Sequence, residues 1–113
     1  MLPKFDDFIT QALEKSWPSN SYVREPGFSS LYVRVAKRYI EGKMQTTIDL
    51  ANMTAKRPGK GTFTRLVERL MTQYGMIIYA ECVLNPRLAG KLVRMGFVQH
   101  NDSDSYYLLP GKI

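Results

Sequence analysis

Two glycines one residue apart, Gly59 and Gly61, stand between a strand-like run and a helix-like run. The stretch Gly59-Lys60-Gly61-Thr62-Phe63-Thr64-Arg65-Leu66 constrains the fold more than any other part of the chain. Without a Cβ, the backbone of such a turn can approach a ligand closely. Placed at the mouth of a helix, it aims free N–H groups outward, and main chain alone then holds a phosphate. The bland alternative is an ordinary tight turn, and Gly-x-Gly by itself does not separate the two. The second half of the chain carries a further spaced pattern that does.

Hydrophobic spacing sets the surrounding elements. Phe5, Phe8, Ile9, Ala12 and Leu13 recur at helical spacing, which predicts an amphipathic helix over 4–15. Trp17-Pro18-Ser19-Asn20 ends it, and Pro26-Gly27 is a second break. Leu31, Val33 and Val35 alternate with Tyr32, Arg34 and Ala36, as in a strand. Glu41-Gly42 reads as a hairpin turn into an antiparallel second strand through Met44, Thr46, Ile48 and Leu50 to about Thr54.

After Pro58 and the glycine turn, Phe63, Leu66, Val67, Leu70 and Met71 form the stripe of a second helix, which Tyr74-Gly75 closes. Met76 to Val83 reads as a buried strand. Pro86 opens a third helix with Leu88, Leu92 and Met95 as its stripe and Gly96 as its stop. Phe97 to Gln99, the turn 101–104 and Tyr106 to Leu109 make a closing pair of strands. The order predicts one α/β (α+β) domain over 1–113 with a mixed sheet. The strand–turn–helix–strand unit at 46–83 is a crossover between parallel neighbours.

The 113 residues suffice for a single core. Apolar content of 44% and charged content of 23% fit a globular chain rather than a disordered one. No apolar run is long enough to span a bilayer, and the N-terminus does not read as a signal peptide, so no membrane partner is expected. The single cysteine, Cys82, suits a reducing, cytoplasmic setting and sits in an apolar run as a buried filler. One cysteine and one histidine, His100, do not make a zinc site, and no metal is expected. The net charge of +6 suits nucleic acid or an anionic ligand, a polyphosphate cofactor included, and the bases are scattered with no block of like charges.

Together, these segments resemble the GNAT acyltransferase superfamily. Gly59-Lys60-Gly61, Thr64, Leu66 and Leu70 match its glycine motif in register. Asn85 after the next strand and Gly96-Phe97 opening the following one match its second signature. The match covers 46–100. The resemblance implies a GNAT-like mixed sheet whose central parallel strands splay apart, with acetyl-coenzyme A bound in the V-shaped cleft. Carried over, Met53 and Ala55 would face the pantetheine arm. Gly59, Lys60, Gly61, Thr62, Phe63 and Thr64 would cradle the pyrophosphate, and Asn85 would contact the cofactor. Arg57, Lys60 and Arg65 could add charge at the rim, and a solvated face is their ordinary reading.

The chain departs from the family pattern in three places. Pro58 stands at the usual Arg/Gln position, and Phe63 at the last glycine. Leu92 stands where the family often has a tyrosine that protonates the leaving thiolate. A base is also needed, because an ammonium has no lone pair for attack. The candidates are Asp49, which on strand alternation shares a face with Thr47, Ala51 and Met53, and Glu81 in the next strand. For Asp49 the alternative is an ion pair with Arg34 or Arg38 across the hairpin.

The leading expectation is acetyl transfer from acetyl-coenzyme A to a primary amine on a small molecule or protein. A bulge near Met53 would help polarise the thioester carbonyl. The short N-terminal region leaves room for a homodimer that completes the acceptor site. The second reading is a non-catalytic GNAT-like binding module in a protein complex. The third is a basic nucleic-acid binder using Tyr22, Tyr32, Tyr39, Arg34 and Arg38. Those aromatics are equally half-buried strand residues, and nucleic acid is not expected as a partner.

Overall fold

In the computed structural model, which describes residues 1–15 and 18–111, alternation and helical period mostly become the elements they predict. The described residues form three helices and a six-stranded mixed sheet, a compact α+β arrangement. Helix α1 spans Phe5–Leu13, strand β1 Ser19–Tyr22, β2 Phe28–Ile40 and β3 Lys43–Ala55. Helix α2 follows at Thr62–Tyr74, then β4 at Ile77–Ala80, α3 at Pro86–Arg94, β5 at Val98–Gln99 and β6 at Tyr106–Leu108. The strand order is β1-β2-β3-β4-β6-β5.

Strand β1 corrects the reading of this region as a plain break. Its sequence, Ser-Asn-Ser-Tyr, has no apolar alternation, and antiparallel pairing with Val35 to Tyr32 of β2 makes it a strand. Trp17, read as part of that break, lies outside the described residues. The β3–α2–β4 crossover is parallel as expected, with Thr47 to Leu50 opposite Ile77 to Ala80. Strand β4 is shorter than the run 76–83. It stops at Ala80, and the chain turns at Cys82, whose φ is +53°. Cys82 is therefore exposed and not a core filler.

One face of the sheet carries Val33, Val35, Ile48, Leu50, Ile78, Ala80 and Leu108. Buried side chains of all three helices join the same cluster: Phe5 and Ile9 from α1, Leu66, Val67 and Leu70 from α2, and Leu92 from α3. Burial of this apolar area is the main favourable term in folding. The other face carries a smaller cluster of Ile40, Ile77, Tyr79 and Tyr107.

A bulge decides which face each end of β3 presents. Tyr32 pairs with Asn52 but Val33 pairs with Leu50, so Ala51 is passed over. One extra residue reverses the alternation beyond it. Met53 therefore packs against the large core, whereas Asp49 points to the opposite face. Thr47 shares the Asp49 face, but Met53 does not.

An ionic clasp ties α1 to α2. Arg69 Nη1 lies 3.0 Å from Asp6 Oδ1, its Nη2 lies 2.9 Å from Glu25 Oε1, and the Tyr74 hydroxyl donates to Asp6 at 2.6 Å. Burial alone would raise the Asp6 carboxyl, but the hydrogen bonds from Tyr74 and Arg69 outweigh it and hold it below its ordinary value. A depressed carboxylate contributes stability above its unfolded pKa and loses it as pH falls through the folded one. Tyr74→Phe is expected to cost about 1 kcal/mol at neutral pH, because Asp6 is half exposed and its bonds are screened. Urea unfolding of both proteins should show that difference shrink as the pH falls below the ordinary carboxylate range. A gap independent of pH would mean that the lost contact is packing alone.

Candidate functional site

Strand β3 outruns its parallel partner. Pairing with β4 ends at Leu50 opposite Ala80, and the Glu81 amide reaches Leu50 O only at 3.4 Å. Beyond that point β3 continues to Ala55, while the other chain leaves toward α3, held by the Val83 amide on Asp104 O at 2.7 Å. The β4-facing edge of residues 51–55 is thus open, with Met53 and Ala55 on it. Lys56 follows, anchored by its amide on Gly27 O at 2.8 Å.

The open edge runs directly into the glycine turn. Gly59 has φ +83° and Gly61 has φ +75°, and Gly61 is the N-cap of α2 with no side-chain cap. Only glycine takes such angles without strain. Arg65 is the first residue of α2 whose amide is taken up, by Gly61 O at 3.0 Å. Among the described residues, none accepts from the amides of Thr62, Phe63 or Thr64. These are the orphan donors of a helix start, aligned with the positive end of its dipole.

Charge reinforces the donors. Lys56, Arg57, Lys60 and Arg65 line one cavity of about 410 Å³ with Gly27 and Thr62. No Asp or Glu occurs between Asp49 and Glu68. The Arg65 guanidinium folds over the turn and donates to Lys60 O at 2.8 Å. Phe63 keeps its ring in the core, so its backbone N–H remains available without a glycine. The Thr64 hydroxyl turns toward α3 and donates to the Met95 sulfur at 4.0 Å.

Asn85 begins the far side of the opening. Its side-chain oxygen accepts from the Arg87 amide at 2.9 Å, so its first task is to cap α3. Leu92 is fully buried in the large core. That position is committed to packing and offers no proton donor.

The two candidate carboxylates lie on the helix-free sheet face, and the structure brings them together. Asp49 is fully buried. Its Oδ2 accepts from Arg38 Nη2 at 2.6 Å and Nε at 3.2 Å, and its Oδ1 from Thr47 Oγ1 at 2.5 Å. Glu81 accepts from Arg34 Nη1 at 2.5 Å and Arg38 Nη2 at 3.2 Å. Burial pushes the Asp49 carboxyl up, against the pull of the Arg38 and Thr47 hydrogen bonds. The ion-pair alternative weighed for Asp49 is the arrangement found, with Arg38 as its close partner and Arg34 at 3.7 Å.

Sequence reasoning missed how far this network extends. The Arg38 guanidinium lies 4.0 Å from the centroid of the Tyr79 ring. The Tyr79 hydroxyl is 2.7 Å from His100 Nδ1, and His100 Nε2 is 3.2 Å from Tyr39 O. A carbonyl only accepts, so Nε2 donates to Tyr39 O, and in the neutral ring Nδ1 then accepts from the Tyr79 hydroxyl. The legible signal was the spacing of Arg34 and Arg38 on one face of β2 opposite Asp49. Both arginines, which the nucleic-acid reading named, are held by carboxylates.

Among the described residues no His, Cys, Asp and Glu cluster could hold a metal ion, and no helix is long and apolar enough to cross a membrane. No protein-family model and no curated protein matches the chain. Among solved structures it is similar to a chain in the crystal structure of a KacTA–DNA complex, with a TM-score of 0.51 at 17% identity. The likeness covers 91% of this chain and 77% of that one. At this identity the likeness speaks for the fold. It does correct one expectation: a structural neighbour was solved together with DNA, so the exclusion of nucleic acid as a partner is withdrawn.

Proposed function

We infer that the chain is an acetyl-coenzyme A dependent acyltransferase of the GNAT kind that acts on a primary amine. The observation that carries this reading is the parting of two parallel strands directly ahead of a double-glycine turn at a helix start. The group fits the residues present. Three untaken amides and four cations suit a diphosphate, and the open edge of 51–55 suits an amide-bearing arm. Bound there, acetyl-coenzyme A would supply a thioester whose carbonyl carbon takes the amine lone pair, forming the C–N bond and releasing a thiolate.

The chain's own contribution is binding and orientation. The bulge at Ala51, at the head of the open edge, is the position from which a backbone N–H would polarise the carbonyl. The acceptor nitrogen must arrive neutral. With Asp49 and Glu81 held by arginines, its proton leaves to water or through Glu81, the more exposed of the two carboxylates. A reducing cytoplasmic setting agrees with the single exposed thiol.

Coenzyme A at about 100 times its dissociation constant is expected to add about 2.7 kcal/mol of stability. For a domain of this size that is a rise in Tm of roughly 10 °C. No shift at millimolar coenzyme A overturns the reading. A second reading, a GNAT-like module without turnover, is favoured by the ion-paired carboxylates and the buried Leu92. A full thermal shift with no acetylated product from any of a panel of amines would select it.

A further inference from the structure

The parallel pair has a second consequence at the same rim. Strands β3 and β4 run in one direction, so the segments that follow them emerge at the same end of the sheet. After β3 come Lys56, Arg57, Lys60 and Arg65, and after β4 come Arg87, Lys91 and Arg94. No Asp or Glu lies between Glu81 and Asp102, just as none lies between Asp49 and Glu68. The Thr64–Met95 contact packs the start of α2 against the end of α3. Elsewhere Arg34 and Arg38 are neutralised by Asp49 and Glu81, and Arg69 by Asp6 and Glu25, whereas Arg24 donates to Leu2 O on the N-terminal segment.

On α3 the pattern is directional. Leu88, Ala89, Leu92 and Met95 pack into the core. Arg87, Lys91 and Arg94, spaced four and three residues apart, share one flank. Arg87 and Arg94 are exposed and Lys91 is half-buried. Among the described residues no carboxylate pairs with any of the three. They span about 10 Å of helix axis, the rise of about three nucleotides along one strand. A membrane surface is the poorer match, because the apolar face of α3 is already used in the core and cannot insert into lipid.

We propose that the α3 flank of Arg87, Lys91 and Arg94, continuous with the basic rim of the glycine turn, binds the phosphodiester backbone of a nucleic acid. The surface reads backbone charge and not sequence.

Fluorescence anisotropy with labelled duplex DNA, single-stranded DNA and an RNA hairpin tests this and distinguishes the sources of the phosphates. Binding to at least one is expected, weakening on the order of 10³-fold between about 50 and about 200 mM salt. For duplex DNA, replacing Arg87, Lys91 and Arg94 together by Gln should make the slope of log affinity against log salt less steep by about 2.7. The same change at Lys15, Lys37 and Lys43, away from the rim where β3 ends, should leave the slope nearly unchanged. The α3 variant should also keep its thermal shift with coenzyme A, which separates this surface from the cofactor site. The proposal fails if no nucleic acid binds at low salt or if the Lys15, Lys37 and Lys43 variant loses as much as the α3 variant. Equal binding to polyglutamate or anionic vesicles also defeats it, as does loss of the coenzyme A shift in the α3 variant.

Discussion

Arg38→Met should destabilise the protein by about 3 kcal/mol at neutral pH, a fall in Tm of roughly 10–15 °C. Among the described residues, Arg38 and Thr47 are the side chains that hydrogen-bond the fully buried Asp49 carboxylate, and Arg34 stands 3.7 Å away. Methionine fills much of the volume but leaves the carboxylate without its close cation. The penalty depends on pH with a definite sign. Burial already pushes the Asp49 carboxyl up, and loss of Arg38 pushes it further. The folded state then holds a proton that the unfolded state releases, so stability is present at low pH and lost as pH rises through the folded pKa. The Arg38→Met defect should accordingly shrink in acid. Adding Asp49→Asn should recover much of the loss at pH 7, since no charge then remains to be desolvated. Chemical denaturation of the single and double variants across pH measures both effects. A defect that is constant with pH and not rescued would show that Arg38 acts through its packing on Tyr79. The double variant also speaks to catalysis: retained acetyl transfer would remove Asp49 from consideration as the base.

Gly61→Val should abolish the stabilisation by coenzyme A while leaving most of the fold. At φ +75° a branched residue is strained, and a Cβ built there lies 3.1 Å from Arg65 Nη1. The guanidinium that closes the turn must move, and the new methyl groups occupy the approach to the amides of Thr62 to Thr64. Gly42→Val is the matched control. Its φ of +86° imposes similar strain in open space, at the hairpin turn that opens β3. Gly42→Val should lose about 1–2 kcal/mol of stability and keep its coenzyme A shift. A folded Gly61→Val protein with an unchanged shift would reduce the motif to a tight turn.

What could be read in advance follows the range of the interactions. Helix α2, the β2–β3 hairpin and the β3–α2–β4 crossover are announced by local period and by glycine, and all three are present. Strand β1 is not announced, because Ser-Asn-Ser-Tyr becomes a strand only through its partner. The Ala51 bulge is equally silent, and it moves Met53 away from the Asp49 face that strict alternation assigned to it. Cys82 was misplaced because an apolar run does not say where pairing stops.

The amino-acid order by itself determined the glycine turn, the helix it opens, the acid-free basic segments on either side of β4, and the absence of a proton donor at Leu92. These are properties of backbone freedom, composition and side-chain identity, which need no partner. Only the tertiary structure decided that Arg34, Arg38, Asp49 and Glu81 form one neutralised cluster, and that the two basic segments emerge at one rim. Both depend on which strands become neighbours and in which direction they run, and residues up to 47 apart in the chain meet there.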